Sequence, residues 1–326
     1  MTRELIITNG DSAAGSLMEA RLAEEVLPWR DVLHEGPVPD VGDLGTLSEL
    51  RTRWLASIFW ADYDEALEGV MSRDSLLADN ESFDRLSLWF EHDLYDQLQL
   101  IQILSYMADN PRRDGELYLL QADDYLGRLS PDDMIEISPN AGHVTSSQLV
   151  LAKAAWWAFS QDTPETWAKL LNEDISALPY LKPTVIRMLE ELPGKDGLSR
   201  TERQILQTIN DGSGQVGPLF GASQKLEDAI FMGDWSFFTR LQNLATSLKP
   251  AIYGLGSDGF SPSMSEDERK AFFNRELRLN DFGRALLNGE EDFAAHNEID
   301  FWWGGTLVTN DDLWRWDGDK GVLMNG

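Results

Sequence analysis

The sequence predicts an α/β protein: a Rossmann-like parallel sheet with helices on both faces, then a helical region and a winged-helix-like C-terminal module. In the first half of the chain, short apolar segments alternate with segments of helical periodicity, which is typical of a parallel sheet covered by helices. In the second half, three helices precede two short strands, the order found in a winged helix. The length of 326 residues exceeds the roughly 250 to 300 residues at which single cores stop growing. We therefore expect two cores.

The N-terminal sheet is predicted from four apolar segments, each followed by a polar turn. We expect strands at residues 4–8, 25–27, 85–90 and 116–121. Between them, apolar residues recur every three to four positions, which predicts helices at residues 13–22, 48–60, 63–77 and 94–107. Pro37 and Pro39 hold the loop after the second strand extended.

The rest of the chain is predicted to be mostly helical. Helical spacing covers residues 146–160, 164–172, 182–192, 201–210, 223–232 and 235–248, and short strands are expected at 251–255 and 276–279. Turn chemistry predicts a linker at residues 193–197, and Ser199 with Glu202 predicts a capping box at the next helix. The predicted domains are therefore residues 1–145, 146–196 and 197–326, the last with a tryptophan-rich tail.

Composition and charge exclude several kinds of site and partner. The chain has no cysteine, which removes disulfides, thiolate nucleophiles and cysteine-ligated metal centres. Its formal charge of -29 repels nucleic-acid backbones and anionic membranes at long range. The apolar runs are far shorter than a membrane span, and residues 1–7 lack the pattern of a secretory signal. We therefore expect a cytoplasmic protein that binds neither nucleic acid nor membrane.

The candidate site lies in the polar turns that follow the first three strands. Ligands of open parallel sheets bind beyond the carboxyl ends of the strands, so these turns are expected to converge. The catalytic candidates are Asp11, Ser12, Asp31, His34, Glu91, His92 and Asp93. The ligand-binding candidates are Asn9, Gly10, Trp29, Arg30, Glu35 and Asp96. Each residue alone also has a structural interpretation, because carboxylates and hydroxyls at helix starts commonly act as caps.

Two hydrolytic chemistries are compatible with these residues. In the first, Asp11, Asp31, His92 and Asp93 bind a divalent cation, which activates water against a phosphoester or amide. In the second, Ser12 is the nucleophile of a Gly-Asp-Ser type serine esterase. That family also has an Asp-x-x-His pair near its C-terminus, and this chain lacks such a pair there.

Two further interpretations involve ligand binding or recognition instead of hydrolysis. The segment from Gly10 to Ser16 has the two glycines of a phosphate-binding loop at a helix N-terminus, but it lacks the lysine of a Walker loop. Alternatively, Trp29, Trp89 and the charged loops form a recognition surface without catalysis. The sequence leaves these four interpretations open.

The C-terminal module has a predicted recognition helix that suits packing better than DNA reading. This helix, residues 235–248, carries Phe237, Phe238 and Leu241, and Arg240 is its single basic residue. A DNA reader needs several contacts from Lys, Arg, Asn or Gln. We therefore expect this helix to serve packing or protein interaction.

Three long motifs coincide with the three polar turns: TNGDSAAG at residues 8–15, LPWRDVLHEGPVP at 27–39 and LWFEHDLYDQL at 88–98. Together they resemble the bacterial family called domain of unknown function 1835. The resemblance covers about the first half of the chain, and residues 299–305 and 314–317 also resemble the tails of longer members. It implies a bacterial protein, but it brings no activity and so assigns no catalytic residue.

From the residues themselves, we expect a small polar or phosphorylated ligand at the carboxyl edge of the N-terminal sheet. Metal-assisted hydrolysis with a divalent cation as cofactor is one reaction that such a site could perform, and the sequence leaves open whether the protein is an enzyme. The alternative is a non-catalytic interaction or regulatory module that uses the winged-helix-like half.

Overall fold

Five strands form one sheet in the N-terminal half of the computed structural model, which describes residues 3–58, 61–112, 116–256, 258–261 and 263–326. The strands are β1 (Glu4–Thr8), β2 (Glu25–Pro28), β3 (Arg85–Phe90), β4 (Glu116–Gln121) and β5 (Gly142–His143). Their order is β2-β1-β3-β4-β5; the first four are parallel and β5 is antiparallel to β4. The predicted parallel sheet is confirmed, and β1, β3 and β4 have the predicted bounds.

Helices connect the strands of this sheet, and further helices follow β5. They are α1 (Asp11–Ala20), α2 (Leu44–Ser57), α3 (Tyr63–Ala78), α4 (Leu94–Asp109), α5 (Pro131–Ile137), α6 (Ser146–Phe159), α7 (Glu165–Lys169) and α8 (Leu181–Leu189). Helices α1 and α5 pack in one apolar cluster with Ile6, Trp89 and Leu120 of the sheet. The β1-α1-β2 and β3-α4-β4 connections run in opposite directions along the sheet, so right-handed crossovers put α1 and α4 on opposite faces.

The bounds of α2 differ from the prediction because of its cap. The helix was expected over residues 48–60, but Asp43 accepts a hydrogen bond from the backbone N–H of Thr46 at 2.9 Å and starts it at Leu44. A carboxylate at this position satisfies a backbone donor that would otherwise lack a partner in the helix. The last two predicted residues, Phe59 and Trp60, lie outside the described residues.

Backbone contacts divide the chain into two units. The first comprises Met1–Ile186 with Gly304–Thr306, and the second comprises Arg187–Trp303 with Leu307–Gly326. This division into two neither confirms nor contradicts the predicted three-part boundaries after residues 145 and 196.

The C-terminal half combines short helices with small two-stranded sheets. The helices are α9 (Arg200–Asn210), α10 (Val216–Gln224), α11 (Asp234–Thr246), α12 (Glu266–Phe273) and α13 (Asp281–Leu287). The strands are β6 (Ile252–Tyr253), β7 (Arg278–Leu279), β8 (Asp300–Trp303), β9 (Thr306–Thr309), β10 (Trp314–Asp317) and β11 (Val322–Asn325). Strand β6 pairs with β7 and β10 with β11, both antiparallel, and β8 pairs with β9.

One predicted helix of the second unit is wrong and one predicted cap is right. The expected helix at residues 223–232 is replaced by α10, which ends at Gln224. The carboxylate of Glu227 instead accepts hydrogen bonds from the Arg187 guanidinium at 2.8 and 2.9 Å, so a tertiary contact overrides helical propensity here. The capping box of α9 is confirmed, since Ser199 and Glu202 each accept a hydrogen bond from the other's backbone N–H.

Among the residues that the structure describes, no helix has both the length and the apolar character needed to cross a bilayer.

Candidate functional site

The N-terminal sheet has a topological switch point between β1 and β3. From β1 the chain crosses to β2 on one side, whereas from β3 it crosses to β4 on the other. The loops after two such strands diverge and leave a crevice at the carboxyl edge of the sheet, where ligands of open α/β sheets bind. Asn9 and Gly10 follow β1 at this point, and Glu91, His92 and Asp93 follow β3. The structure therefore brings two of the three predicted turns to this crevice.

An open cleft of about 340 Å³ lies at this edge. The predicted site residues that line it are Asn9, Gly10, Asp11, Ser12 and Glu91. Sequence reasoning missed five other lining residues: Ala13, Tyr95, Tyr125, Gly127 and Arg128. Three of these follow β4, so extending the same strand-end rule to the fourth strand finds them.

Three buried carboxyl groups form a cluster beside the cleft. Oxygen atoms of Glu91, Asp93 and Asp96 all lie within 4.8 Å of one another. Glu91 is shared between this acidic triad and the wall of the cleft. Predicted as separate candidates, the three residues are thus brought together by the turn from β3 into α4.

Hydrogen bonds hold the acidic triad in place. The two carboxylate oxygens of Asp96 accept from the backbone N–H of Glu91 at 2.6 Å and from the side-chain amide of Asn9 at 2.8 Å. Asp93 accepts from the backbone N–H of Asp96 at 3.2 Å and so caps α4. Glu91 accepts from the backbone N–H of Leu126 at 2.7 Å. The triad therefore ties together the segments that follow β1, β3 and β4.

Burial changes the acidity of all three carboxyl groups. Desolvation raises the pKa of Glu91, although hydrogen bonds from Asn9 and the backbone oppose it. Desolvation and the neighbouring Glu91 carboxylate raise the pKa of Asp93 to about 7. The pKa of Asp96 is raised by desolvation and by the charges of Asp93 and Glu91. Three carboxylates this close cannot all stay charged at low cost. Either one of them holds a proton or a cation lies among them.

The donor set of the acidic triad fits a hard divalent cation. Mg²⁺, Ca²⁺ and Mn²⁺ bind preferentially to oxygen ligands, carboxylates above all. A cation bound by Glu91, Asp93 and Asp96 would offset the repulsion that raises their pKa values. Of the four residues in the first chemical interpretation, Asp93 belongs to this cluster, whereas Asp11, Asp31 and His92 do not.

The N-terminus of α1 forms another part of the cleft. Gly10 is its N-cap residue and carries no side chain to cover the first backbone N–H groups. Asp11, in the first turn, accepts from the Arg30 guanidinium at 2.9 Å on the exposed surface. The guanidinium of Arg128, another cleft residue, lies 4.1 Å from the ring centroid of Tyr125. Exposed helix N–H groups and an arginine together favour an anionic ligand group.

The second predicted turn makes a separate buried network. The carboxylate of Asp31 pairs with Arg51 of α2 at 2.8 Å, and both side chains are buried. Arg51 also donates to the backbone carbonyls of Val32 and Glu35. Trp29 is buried and donates from its indole nitrogen to Gln102 at 2.7 Å. These contacts give Asp31 and Trp29 a structural part in holding the loop.

The two predicted histidines lie near aromatic residues of the site. His34 is buried, and its ring centroid lies 6.1 Å from that of Tyr95. His92 is half-buried, with ring centroids of Tyr125 and Tyr180 at 5.3 and 5.9 Å. Each histidine therefore lies next to a tyrosine that lines the cleft.

No family model and no curated protein matches this chain. The resemblance of the three motifs to the domain of unknown function 1835 family therefore stays a prediction from those motifs.

Proposed function

We propose that the acidic triad binds a divalent cation and that the adjoining cleft binds a small polar or phosphorylated molecule, with metal-assisted hydrolysis as the reaction. One observation carries the proposal. Three buried carboxyl groups lie within 4.8 Å of one another at the switch point of the sheet, and one of them, Glu91, also lines the cleft.

The groups around the cleft suit this chemistry. A bound divalent cation supplies Lewis-acid activation of a phosphoryl or carbonyl oxygen and lowers the pKa of bound water. In this proposal, the N–H groups at the start of α1 and the guanidinium of Arg128 hold the phosphate. Arg30 neutralises Asp11, which would otherwise repel an anion at this helix start.

Cation binding is tested by thermal shift after treatment with a chelator. Adding Mg²⁺, Ca²⁺ or Mn²⁺ in excess should raise the melting temperature, because a ligand at 100 times its Kd stabilises the folded state by about 2.7 kcal/mol. Asp93→Asn should abolish the response, whereas Glu136→Gln on the exposed side of α5 should keep it. A wild-type protein that no cation stabilises, or an Asp93→Asn protein that keeps the full response, contradicts the proposal.

Ligand binding is tested separately in the presence of the effective cation. Inorganic phosphate and a set of nucleoside monophosphates serve as probes in the same thermal-shift format. Arg128→Met should weaken the response to phosphate while leaving the response to the cation alone unchanged. If Arg128→Met leaves the phosphate response intact, the phosphate is held elsewhere and this part of the proposal is wrong.

A second candidate function is an interaction or regulatory module in the winged-helix-like half. It is supported by the isolated antiparallel bridge between Gln215, which lies between α9 and α10, and Glu276, which lies just before β7 of the β6-β7 pair. Photo-crosslinking in cells from the exposed position Thr239 on α11 tests this function. A discrete protein adduct would support it, and the absence of any adduct would contradict it.

A further inference from the structure

A second groove, of about 530 Å³, lies in the first unit and has lining residues different from those of the acidic triad and its cleft. One wall is the loop from Pro39 to Asp43, another is the C-terminal half of α4, and the third is α6. Its volume falls within the range of small-molecule sites, which is roughly 300 to 1,000 Å³.

Backbone and capping contacts fix the walls of this groove. The backbone N–H of Asp40 donates to the carbonyl of Ser160, just after α6, at 3.1 Å. Asp43 caps α2, and Pro39 restricts the backbone before it. The loop is therefore held against the end of α6, and the groove is largely preformed.

Two polar side chains at the base of the groove lack part of their hydrogen bonding. Gln102 and Ser105 lie one helical turn apart on α4, with side chains 3% and 7% exposed. The Gln102 carbonyl oxygen accepts from Trp29 at 2.7 Å. Within the part of the chain that the structure describes, the Gln102 amide nitrogen and the Ser105 hydroxyl make no hydrogen bond, and neither atom is sealed from solvent. Both groups can therefore form hydrogen bonds with a ligand in the groove.

The rim of the groove carries acceptors. Asp40, Asp43 and Asp109 contribute carboxylates, and Lys153 pairs with Asp109. Ionised carboxylates accept hydrogen bonds and cannot donate them. The rim therefore calls for a ligand with donors, whereas the Gln102 amide nitrogen at the base calls for one with acceptors.

The third wall is aromatic. Trp156 and Trp157 of α6 and Tyr106 of α4 line the groove, and 51% of the Trp157 surface is exposed. Exposed indole rings offer flat apolar surface that is stabilised when a ligand covers it.

The polar groups and aromatic rings that line the groove suit some classes of ligand better than others. An alkylammonium ion donates only, so it leaves the Gln102 amide nitrogen unsatisfied. Phosphates and carboxylates are repelled by the aspartates at the rim. A sugar hydroxyl both donates and accepts, and the C–H face of a sugar ring is an apolar surface that can cover an indole. From the unsatisfied Gln102 and Ser105 beneath acidic and tryptophan walls, we propose that this groove binds a neutral saccharide.

The test uses the full chain and saturation-transfer NMR. Glucose, galactose, mannose, N-acetylglucosamine, maltose and lactose are the probes, with spermidine and glucuronate as counter-probes. At least one neutral sugar should show transfer and a saturable tryptophan fluorescence change, with weaker effects from both counter-probes.

Three variants then locate the site. Trp157→Ala should weaken sugar binding by about tenfold, which corresponds to about 1.4 kcal/mol. Ser105→Ala should weaken it by about threefold to tenfold, as expected for one neutral hydrogen bond. Val150→Ala, on the exposed face of the same helix as Trp157 but outside the groove, should leave it unchanged. Circular dichroism confirms that each variant is folded.

The proposal is overturned if none of the neutral sugars binds or if spermidine or glucuronate binds better than all of them. It is also overturned if folded Trp157→Ala and Ser105→Ala proteins bind the sugar as the wild type does. These results are independent of the acidic triad, since none of the three variants touches it.

Discussion

Replacing Asp93 with asparagine should stabilise the cation-free protein at alkaline pH and have little effect at acid pH. Burial and the Glu91 carboxylate raise the pKa of the Asp93 carboxyl from 3.8 to about 7 in the folded state. Between these two values the native state holds a proton that the unfolded state has released. The free energy of unfolding therefore falls as the pH rises through this window, and the loss is complete above about pH 7.

The size of this effect follows from the same two pKa values. Each pH unit between 3.8 and about 7 contributes about 1.4 kcal/mol, so the loss is on the order of 4 kcal/mol. Asparagine imitates the protonated carboxyl, because its oxygen can still cap α4 and its amide can donate to Glu91 as the acid proton does. The variant avoids the cost of ionising a buried group.

Hydrogen exchange of peptides covering residues 85–110 measures this difference in the unit that contains the acidic triad. Wild type and Asp93→Asn are compared in chelator at about pH 5 and about pH 8, with Glu136→Gln as a control for loss of a surface carboxylate. The variant should gain protection over the wild type mainly at the higher pH. Equal protection at both values, or lower protection at the higher pH, would refute the reasoning that burial keeps Asp93 protonated.

Three further perturbations are expected to separate structural from functional residues. Arg51→Leu should lower the free energy of unfolding by about 3 to 5 kcal/mol because it leaves the buried Asp31 carboxylate unpaired. Arg53→Leu, on the exposed side of the same helix, should change this free energy little when both variants are unfolded in urea. Equal effects of the two substitutions would contradict this account. His92→Ala should lower the free energy of unfolding by about 1 kcal/mol because the contact of His92 with Tyr125 is lost. The variant should still show a higher melting temperature with cations. If that increase is lost, the histidine is one of the cation ligands. The full chain should bind random duplex DNA no more tightly than roughly 10⁻⁴ M at physiological salt, and tight, salt-sensitive binding in fluorescence anisotropy would overturn the prediction from its charge.

The carboxyl edge of the sheet could be predicted because strand ends are local signals. Apolar segments at residues 4–8 and 85–90 end abruptly at polar turns, and parallel strands bring such turns to one edge. The order of the strands cannot be predicted from such local signals, since it depends on which strands pair across the sheet. The switch point between β1 and β3, which leaves the crevice, was therefore beyond sequence reasoning.

Buried polar pairs could not be predicted for a related reason. Gln97, Gln99 and Gln102 of α4 would be assigned to a solvent-facing side by binary patterning, yet all three are buried. They donate to the carbonyls of Glu91 and Asp31 or accept from a tryptophan. In a helix that is packed on several sides, such side chains form hydrogen bonds with backbone groups of neighbouring irregular loops. Which loop packs against the helix depends on the tertiary structure, so the sequence of the helix does not predict it.

Helix capping explains only part of the acidic triad. Asp93 does cap α4, but a cap requires one acceptor, and caps work equally well on exposed surfaces. Asp96 bridges the backbone of Glu91 and the side chain of Asn9 with its two oxygens, a task for which a carboxylate suits better than an amide. Glu91 caps no helix; it accepts a hydrogen bond from the backbone N–H of Leu126 at 2.7 Å and another from Asn9, and its burial still raises its pKa. These hydrogen bonds hold the segment after β4, but they do not require a carboxyl group that belongs both to the triad and to the cleft lining, whereas a bound cation would.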